Sequence, residues 1–236
     1  MALFDRSSTS KDEDTWTFRD AALWHTIDAV HAALEGDLTR LQRVPVPFAL
    51  QSGRSAERTV ASAPFRLWSW QSLGDGSYYH DQSVYFASGR GALGFTLGAM
   101  AGRAVGNSRR SRQAAQDAQP RWVPIEQGQL TVSDFGFYLH TAQSVLWWNW
   151  ESITLAQLTA PGTVQIHGNS LTGPVNWQLV SDVAELVLCY WALVRSRHHP
   201  QLLSGTWIPV DWVQKTVRTW GDIHPVHEIV LRRLND

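Results

Sequence analysis

Between Gly128 and Trp150 apolar side chains recur at every second position, as Leu130 and Val132, Phe137 and Leu139, and Val145 and Trp147; Asp134, Gly136 and the polar run from Thr141 to Gln143 stand between the pairs. Alternation with period two, broken by polar turns, marks antiparallel strands that bury one face, so this stretch predicts a β-meander. The pattern continues downstream. Ile153 and Leu155 extend a strand, Pro161-Gly162 turns the chain, Val164 and Ile166 form the next strand, Gly168 to Pro174 reads as a loop, and Val175, Trp177 and Leu179 make the last strand. Asp182 and Glu185 then have capping-box spacing ahead of a helix whose apolar face is Val183, Leu186, Val187, Tyr190, Trp191 and Val194. His198-His199-Pro200 ends that helix in a basic turn.

Upstream the period changes. Residues 1 to 15 are charged and aperiodic and read as a disordered lead. From Thr17, a cap with Asp20 in the first turn, Leu23, Ile27, Val30, Leu34, Leu38 and Leu41 recur at helical spacing until Pro45 and Pro47 stop the helix. Strand-like text follows at Phe48 to Gln51, Arg58 to Ala63 and Phe65 to Trp70, with a polar turn over Ser52 to Glu57. Gly74-Asp75-Gly76 makes a turn, and Tyr78 to Ala87 reads as a further strand or an aromatic-rich loop. After Pro200, a short helix over Val210 to Trp220 stopped by Gly221 and a last one over Pro225 to Leu234, with Val226, Ile229, Val230 and Leu234 on one face, complete the pattern.

Glycine stands at every fourth residue between these regions, as Gly94, Gly98, Gly102 and Gly106. On a helix they form one row, a groove for close approach of a second backbone. Each costs about 0.8 to 1 kcal/mol relative to Ala in a helix, so tight packing against the sheet or a second copy must offset them. The apolar run before Arg103 is about 12 residues, short of the roughly 20 that cross a bilayer, and no transmembrane segment is expected. Neither the glycine spacing nor the residues that follow match a phosphate-binding loop.

The meander also resembles a known family. Leu130-Thr131-Val132-Ser133-Asp134, Phe137-Tyr138-Leu139 and Trp150-Glu151-Ser152-Ile153, then Val164-Gln165-Ile166, Trp177-Gln178-Leu179-Val180 and the helix at Asp182, are similar in order to bacterial pleckstrin-homology-like (PH-like, GRAM-like) domains. The likeness covers roughly residues 128 to 197, and Gly136 stands where the family's turn carries Arg. It implies an α+β fold: a PH-like antiparallel β-barrel capped by a C-terminal amphipathic helix. To this the chain adds an N-terminal helix, an inserted glycine-zipper helix and a helical C-terminal tail. The expected organisation is a lead and helix over 1–43, the barrel over 44–197 with its insert at about 91–119, and the tail over 198–236. Lipid binding by some PH-like domains makes anionic lipid a possible ligand.

Composition narrows the chemistry. A chain of 236 residues buries a substantial core, and a net charge of −1 gives no global pull towards nucleic acid, which is not an expected partner. Locally the charge is uneven. Residues 1 to 40 hold eight acids against four bases, whereas Arg103, Arg109, Arg110, Arg112 and Arg121 face Asp117 alone over 103 to 121. That basic patch suits anionic lipid or the acidic arm of a neighbouring copy. Thirteen tryptophans hint at interfaces as well as core, Trp147 and Trp148 being candidates. The single cysteine, Cys189, lies in an apolar helical pattern and reads as a packing residue in a reducing compartment. With no apolar leader at the N-terminus, a cytoplasmic location is expected, peripheral to a membrane if the arginines dock there.

His80-Asp81, and His224 with His227, lack partners at ligand spacing, so no metal is expected. No nucleophile elbow or acid–base pair stands out either, so no cofactor and no catalytic residue are expected. These readings favour a non-enzymatic binding or scaffold protein that mediates protein–protein interaction or self-assembly into a homo-oligomer. A peripheral lipid-binding protein is the alternative, and an enzyme without a readable motif the third.

Overall fold

The computed structural model describes residues 15–51, 57–72, 118–170 and 173–235. The glycine row, Arg103, Arg109, Arg110 and Arg112, the Gly74–Gly76 turn, and Tyr78 to Ala87 with His80 and Asp81 lie outside them.

Helix α1 (Phe18–Glu35) begins as the sequence predicts. Thr17 caps it in a reciprocal box, Asp20 N donating to Thr17 Oγ1 at 3.2 Å and Thr17 N to Asp20 Oδ2 at 2.7 Å. It ends earlier than expected. Gly36 takes the left-handed conformation with φ 71° and donates back to Ala32 and Ala33, and Asp37 caps a separate single turn, Leu38–Arg40. A glycine cap outweighs continued apolar spacing, because αL geometry carries no steric cost there. The prolines are not what stops this helix.

Strand β1 (Thr59–Gln71) runs unbroken through Pro64, and the stretch Phe48 to Gln51 is not a strand. Ala61, Ala63, Phe65 and Leu67 are buried in step while Pro64 and Arg66 are exposed, so the alternation never loses phase. Next come β2 (Arg121–Ser133), β3 (Gly136–His140), β4 (Val145–Asn149), one helical turn (Trp150–Ser152), β5 (Ile153–Ala160), β6 (Thr163–Ser170) and β7 (Gly173–Ser181). The expected loop over Gly168 to Pro174 is instead the end of a hairpin, since Asn169 pairs with Pro174 and Ser170 with Gly173. Four helices complete the described chain: α1, α2 (Ala184–Arg195), α4 (Val210–Trp220) and α5 (His227–Asn235), with the single turn α3 (Pro200–Leu203) after α2.

The fold is α+β. One seven-stranded sheet has the order β4-β3-β2-β1-β7-β6-β5, and its hairpin pairs are antiparallel. The sheet is open, with β4 and β5 at its edges, yet these two strands are joined by a single helical turn. Seven strands about 4.8 Å apart would set the edges of a flat sheet roughly 29 Å apart, several times the roughly 6 Å span of such a turn. The sheet must therefore curl. Trp148 of β4 duly packs on Trp177 of β7 at 4.8 Å, and a Cβ on Gly168 of β6 would lie 2.7 Å from Ser152 O and 2.8 Å from the Trp148 ring.

Register corrects the expected inward face of β4. Phe137 pairs with Trp148 and Leu139 with Leu146, whereas Val145 and Trp147 pair with His140 and Tyr138 on the other side. The turn at Thr141, whose Oγ1 accepts from Gln143 N and Ser144 N, shifts the phase by one residue, so Trp148 is buried and Trp147 is 45% exposed. Tyr138 is buried from behind by Phe48 at 5.2 Å, and its hydroxyl accepts from Gln51 N at 3.0 Å. Gly136 pairs with Asn149, and a Cβ there would stand 1.8 Å from Trp148 O. An arginine does not fit that place.

Helix α2 differs from the amphipathic stripe expected of it. It is buried throughout Ala184 to Ala192, whereas Val194, assigned to the stripe, is 54% exposed. One side packs on β5, β6 and the Trp150–Ser152 turn, with Trp191 Nε1 donating to Ile153 O at 3.1 Å; the other meets α1, with Tyr190 Oη donating to Ala29 O at 3.2 Å. Its capping box does not form. Val183 occupies the cap, and Glu185 is drawn instead to Arg19 and to Gly162 N. Cys189 is buried in this helix as expected, and burial, then the Glu185 charge, push its thiol pKa up.

By compactness, residues up to Trp68 and from Pro124 form one unit, holding α1, most of the sheet and the C-terminal helices. Ser69–Val123 forms another, in whose described part Trp70 and Trp122 pack at 5.4 Å.

Candidate functional site

The surplus of tryptophan converges on the outer side of α1. Trp16 lies just before the Thr17 cap and Trp24 in α1, while Trp212 and Trp220 stand eight residues apart on α4. The rings pack together. Trp16 lies 6.1 Å from Trp24 and 5.8 Å from Trp220, and Trp24 lies 6.3 Å from Trp220, at interplanar angles of 74°, 86° and 54°. Trp212 backs the group. It is buried, packs 6.3 Å from both Trp16 and Trp24, and donates from Nε1 to Asp20 O at 3.1 Å.

Local sequence holds α4 in this place. Lys215 Nζ donates to Asp20 Oδ2 at 2.7 Å and to Thr15 O at 2.8 Å, pinning the helix on the first turn of α1. Burial raises the Asp20 pKa, but hydrogen bonds from Lys215 and Thr17 outweigh it and hold the carboxyl below its usual range. Gly221, left-handed at φ 78°, ends α4 and turns the chain back. That turn lays the buried His224 ring 4.3 Å from Trp24, with Nε2 3.2 Å from Asp28 Oδ1. His224, which resembles the start of a zinc motif in sequence, is thus a packing residue here, its Nε2 facing Asp28.

Trp16, Trp24 and Trp220, with Ala21, His25 and Asp28, line an open hollow of about 440 Å³. A wider cleft of about 1080 Å³ shares Ala21, His25 and Asp28 and lies between α1, the segment Arg40 to Pro45, and β1 at Val60 to Pro64. Phe18 stands at its rim, 90% exposed. Three polar side chains along this surface are engaged within the fold. His25 Nε2 donates to Val60 O at 2.7 Å, Arg43 donates to Glu57 O at 3.3 Å, and Arg40 binds Glu35 and His31 Nδ1. Burial, then the Arg40 charge, lower the His31 pKa, which favours the neutral ring that accepts from Arg40.

The residues singled out from sequence do not build this site. Arg121 is exposed at the start of β2, Trp147 lies on the outer face of β4 with Phe135 at 6.0 Å, and Trp148 is interior. Sequence reading missed Trp16, Trp24, Trp220 and Asp28. The signal available was the recurrence of tryptophan at eight-residue spacing at and before the start of one segment read as helical and along another. Among the described residues, no helix is long and apolar enough to cross a membrane. Comparison of the sequence with protein-family models and with curated proteins finds no match in either.

Proposed function

We propose that the chain is a non-enzymatic binding or scaffold protein built on a PH-like domain, and that its recognition surface is the cleft along α1. The architecture supports this: consecutive strands form one open sheet whose edge strands β4 and β5 are joined by a single helical turn, and the helix after the last strand packs on β5, β6 and that turn. The observation that carries the reading is the division of labour in the cleft. Its His25, Arg40 and Arg43 are bonded within the fold, while Phe18 stays 90% exposed at its margin and Trp220 62% exposed in the adjoining hollow. Such a surface recognises by shape and apolar area rather than by proton transfer, and a second copy of the chain is the occupant we favour.

Light scattering across a concentration series tests it. The parent should assemble, and Phe18→Glu should weaken assembly about tenfold or more with the melting temperature nearly unchanged, because Phe18 is almost fully solvated. A parent that stays monomeric at tens of micromolar overturns self-assembly. Sedimentation with anionic vesicles, lost when Arg109, Arg110 and Arg112 become Glu, would favour the peripheral-membrane alternative instead.

A further inference from the structure

The indole hollow has a chemistry of its own. Three indole rings at mutual angles of 54° to 86° do not stack into a slab; they stand as walls around a common space. The face of an indole is the negative pole of its quadrupole, so such walls attract cations and repel anions. Of the two other polar side chains in the lining, His25 is bonded to Val60 O and Asp28 reinforces that sign. Asp28 contributes a carboxylate that is 45% exposed although it also meets His224, and neither Lys nor Arg lines the hollow. Arg40 is bonded to Glu35 and His31, and Lys215 to Asp20 and Thr15 O.

The kind of cation follows from what the walls lack. A primary ammonium brings three N–H donors that must exchange water for acceptors, and the hollow supplies one carboxylate, a His25 ring whose Nε2 is engaged with Val60 O, and otherwise the indole rings and Ala21. An alkylated ammonium has no such donors to satisfy. It offers methyl groups to the rings and a diffuse charge to Asp28. A neutral apolar guest fits the carbon surface equally well but would cover a carboxylate without compensating it. The walls are also held in place beforehand: Trp212 supports Trp16 and Trp24, its own ring fixed by Asp20 O, and His224 lies against Trp24. A volume of about 440 Å³ falls in the usual range for small-molecule sites and accommodates a trimethylammonium head with part of its tail.

We infer that the hollow walled by Trp16, Trp24 and Trp220 binds a quaternary ammonium group, with Asp28 as its counter-charge. This goes beyond the assembly reading and stands without it, since a free ion can enter the hollow of a monomer or of an oligomer.

Titration of the full chain with choline chloride, followed by calorimetry and tryptophan fluorescence against a sodium chloride control, tests the inference. Choline should bind saturably, and its neutral tert-butyl isostere, dimethylbutanol, about tenfold more weakly. Trp220→Ala, at an exposed wall, should lose about tenfold in affinity with an unchanged melting temperature, and Asp28→Asn several-fold; Trp147→Ala, remote on β4, should bind as the parent does. Equal affinity for the isostere, no saturable response to choline, or full binding by both Trp220→Ala and Asp28→Asn overturns the inference. A parallel arm with phosphatidylcholine vesicles separates the sources of the group: sedimentation with vesicles that free choline competes away assigns a lipid headgroup, and binding of choline alone assigns a soluble ligand. A monomer that binds choline would sink self-assembly and leave the ammonium site standing, and an oligomer indifferent to choline would do the reverse.

Discussion

Glu185 is fully buried, and its carboxylate is held by donors from two distant parts of the chain. Arg19 binds both oxygens, Nη1 donating to Oε2 at 2.7 Å and to Asp182 O at 2.6 Å, and Gly162 N donates to Oε1 at 2.7 Å. A charge so placed is stable only while its partners remain, because water cannot reach it once one is removed. Arg19→Met should therefore lower unfolding stability by about 3 to 5 kcal/mol, measured as a shift in the denaturant midpoint. Adding Glu185→Gln should recover part of the loss. If Arg19→Met unfolds at the parent midpoint, the pair is not what holds the start of α1 against α2.

At the scale of elements, the helices after α2 are part of the core assembly rather than an appendage to it. Trp212 of α4 and Val230 of α5 are buried, and Trp207, between α3 and α4, is 1% exposed. Gln201 of α3 also shields the sheet. Its amide donates to Leu158 O and accepts from Leu158 N, both at 2.9 Å, on the open edge of β5, where unpaired backbone groups would otherwise invite another strand. The expected outcome for Trp212→Ala follows from this packing. It empties a large buried volume behind the indole walls and should cost about 3 to 5 kcal/mol, read from thermal or denaturant unfolding. It should also open the tail to limited proteolysis near Gly205. Unchanged stability would mean that α4 docks on α1 without contributing to the fold.

For the molecule as a whole, the decisive event is the curling of the sheet, and glycine permits it at one point. With a side chain at Gly168, backbone oxygen of Ser152 and the ring of Trp148 would both be closer than 3 Å to its Cβ. Gly168→Ala should force the β4–β5 corner away from β6 and cost about 1 to 3 kcal/mol in melting experiments, with hydrogen exchange rising in Val145–Asn149 and Ile153–Ala160. A variant as stable and as protected as the parent would show that the corner can slide outward freely.

Much of the local order was legible in the residues themselves. The apolar pairs Leu130 and Val132, Phe137 and Leu139, and Val164 and Ile166, the Thr17 cap with Asp20, the stop at Gly221 and the burial of Cys189 all rest on interactions within a few residues or on side-chain polarity, and each is present in the structure. Where two local signals competed, the outcome was not readable: apolar spacing ran on through Leu38 and Leu41, but Gly36 ended the helix. The phase of β4 depended on a turn that shifts Trp148 inward and Trp147 outward. Glu185, placed by its spacing as a capping residue, became the partner of Arg19, 166 positions away. The indole hollow is further still from local control, for Trp212 finds Asp20 O across 192 positions and His224 reaches Asp28 only after Gly221 turns the chain. Periodicity and capping are decided by neighbours in sequence, and the sequence by itself determined them. Which faces meet, which charges pair and where aromatic rings gather are decided when distant elements compete to cover the same apolar surface, and only the tertiary structure decided those.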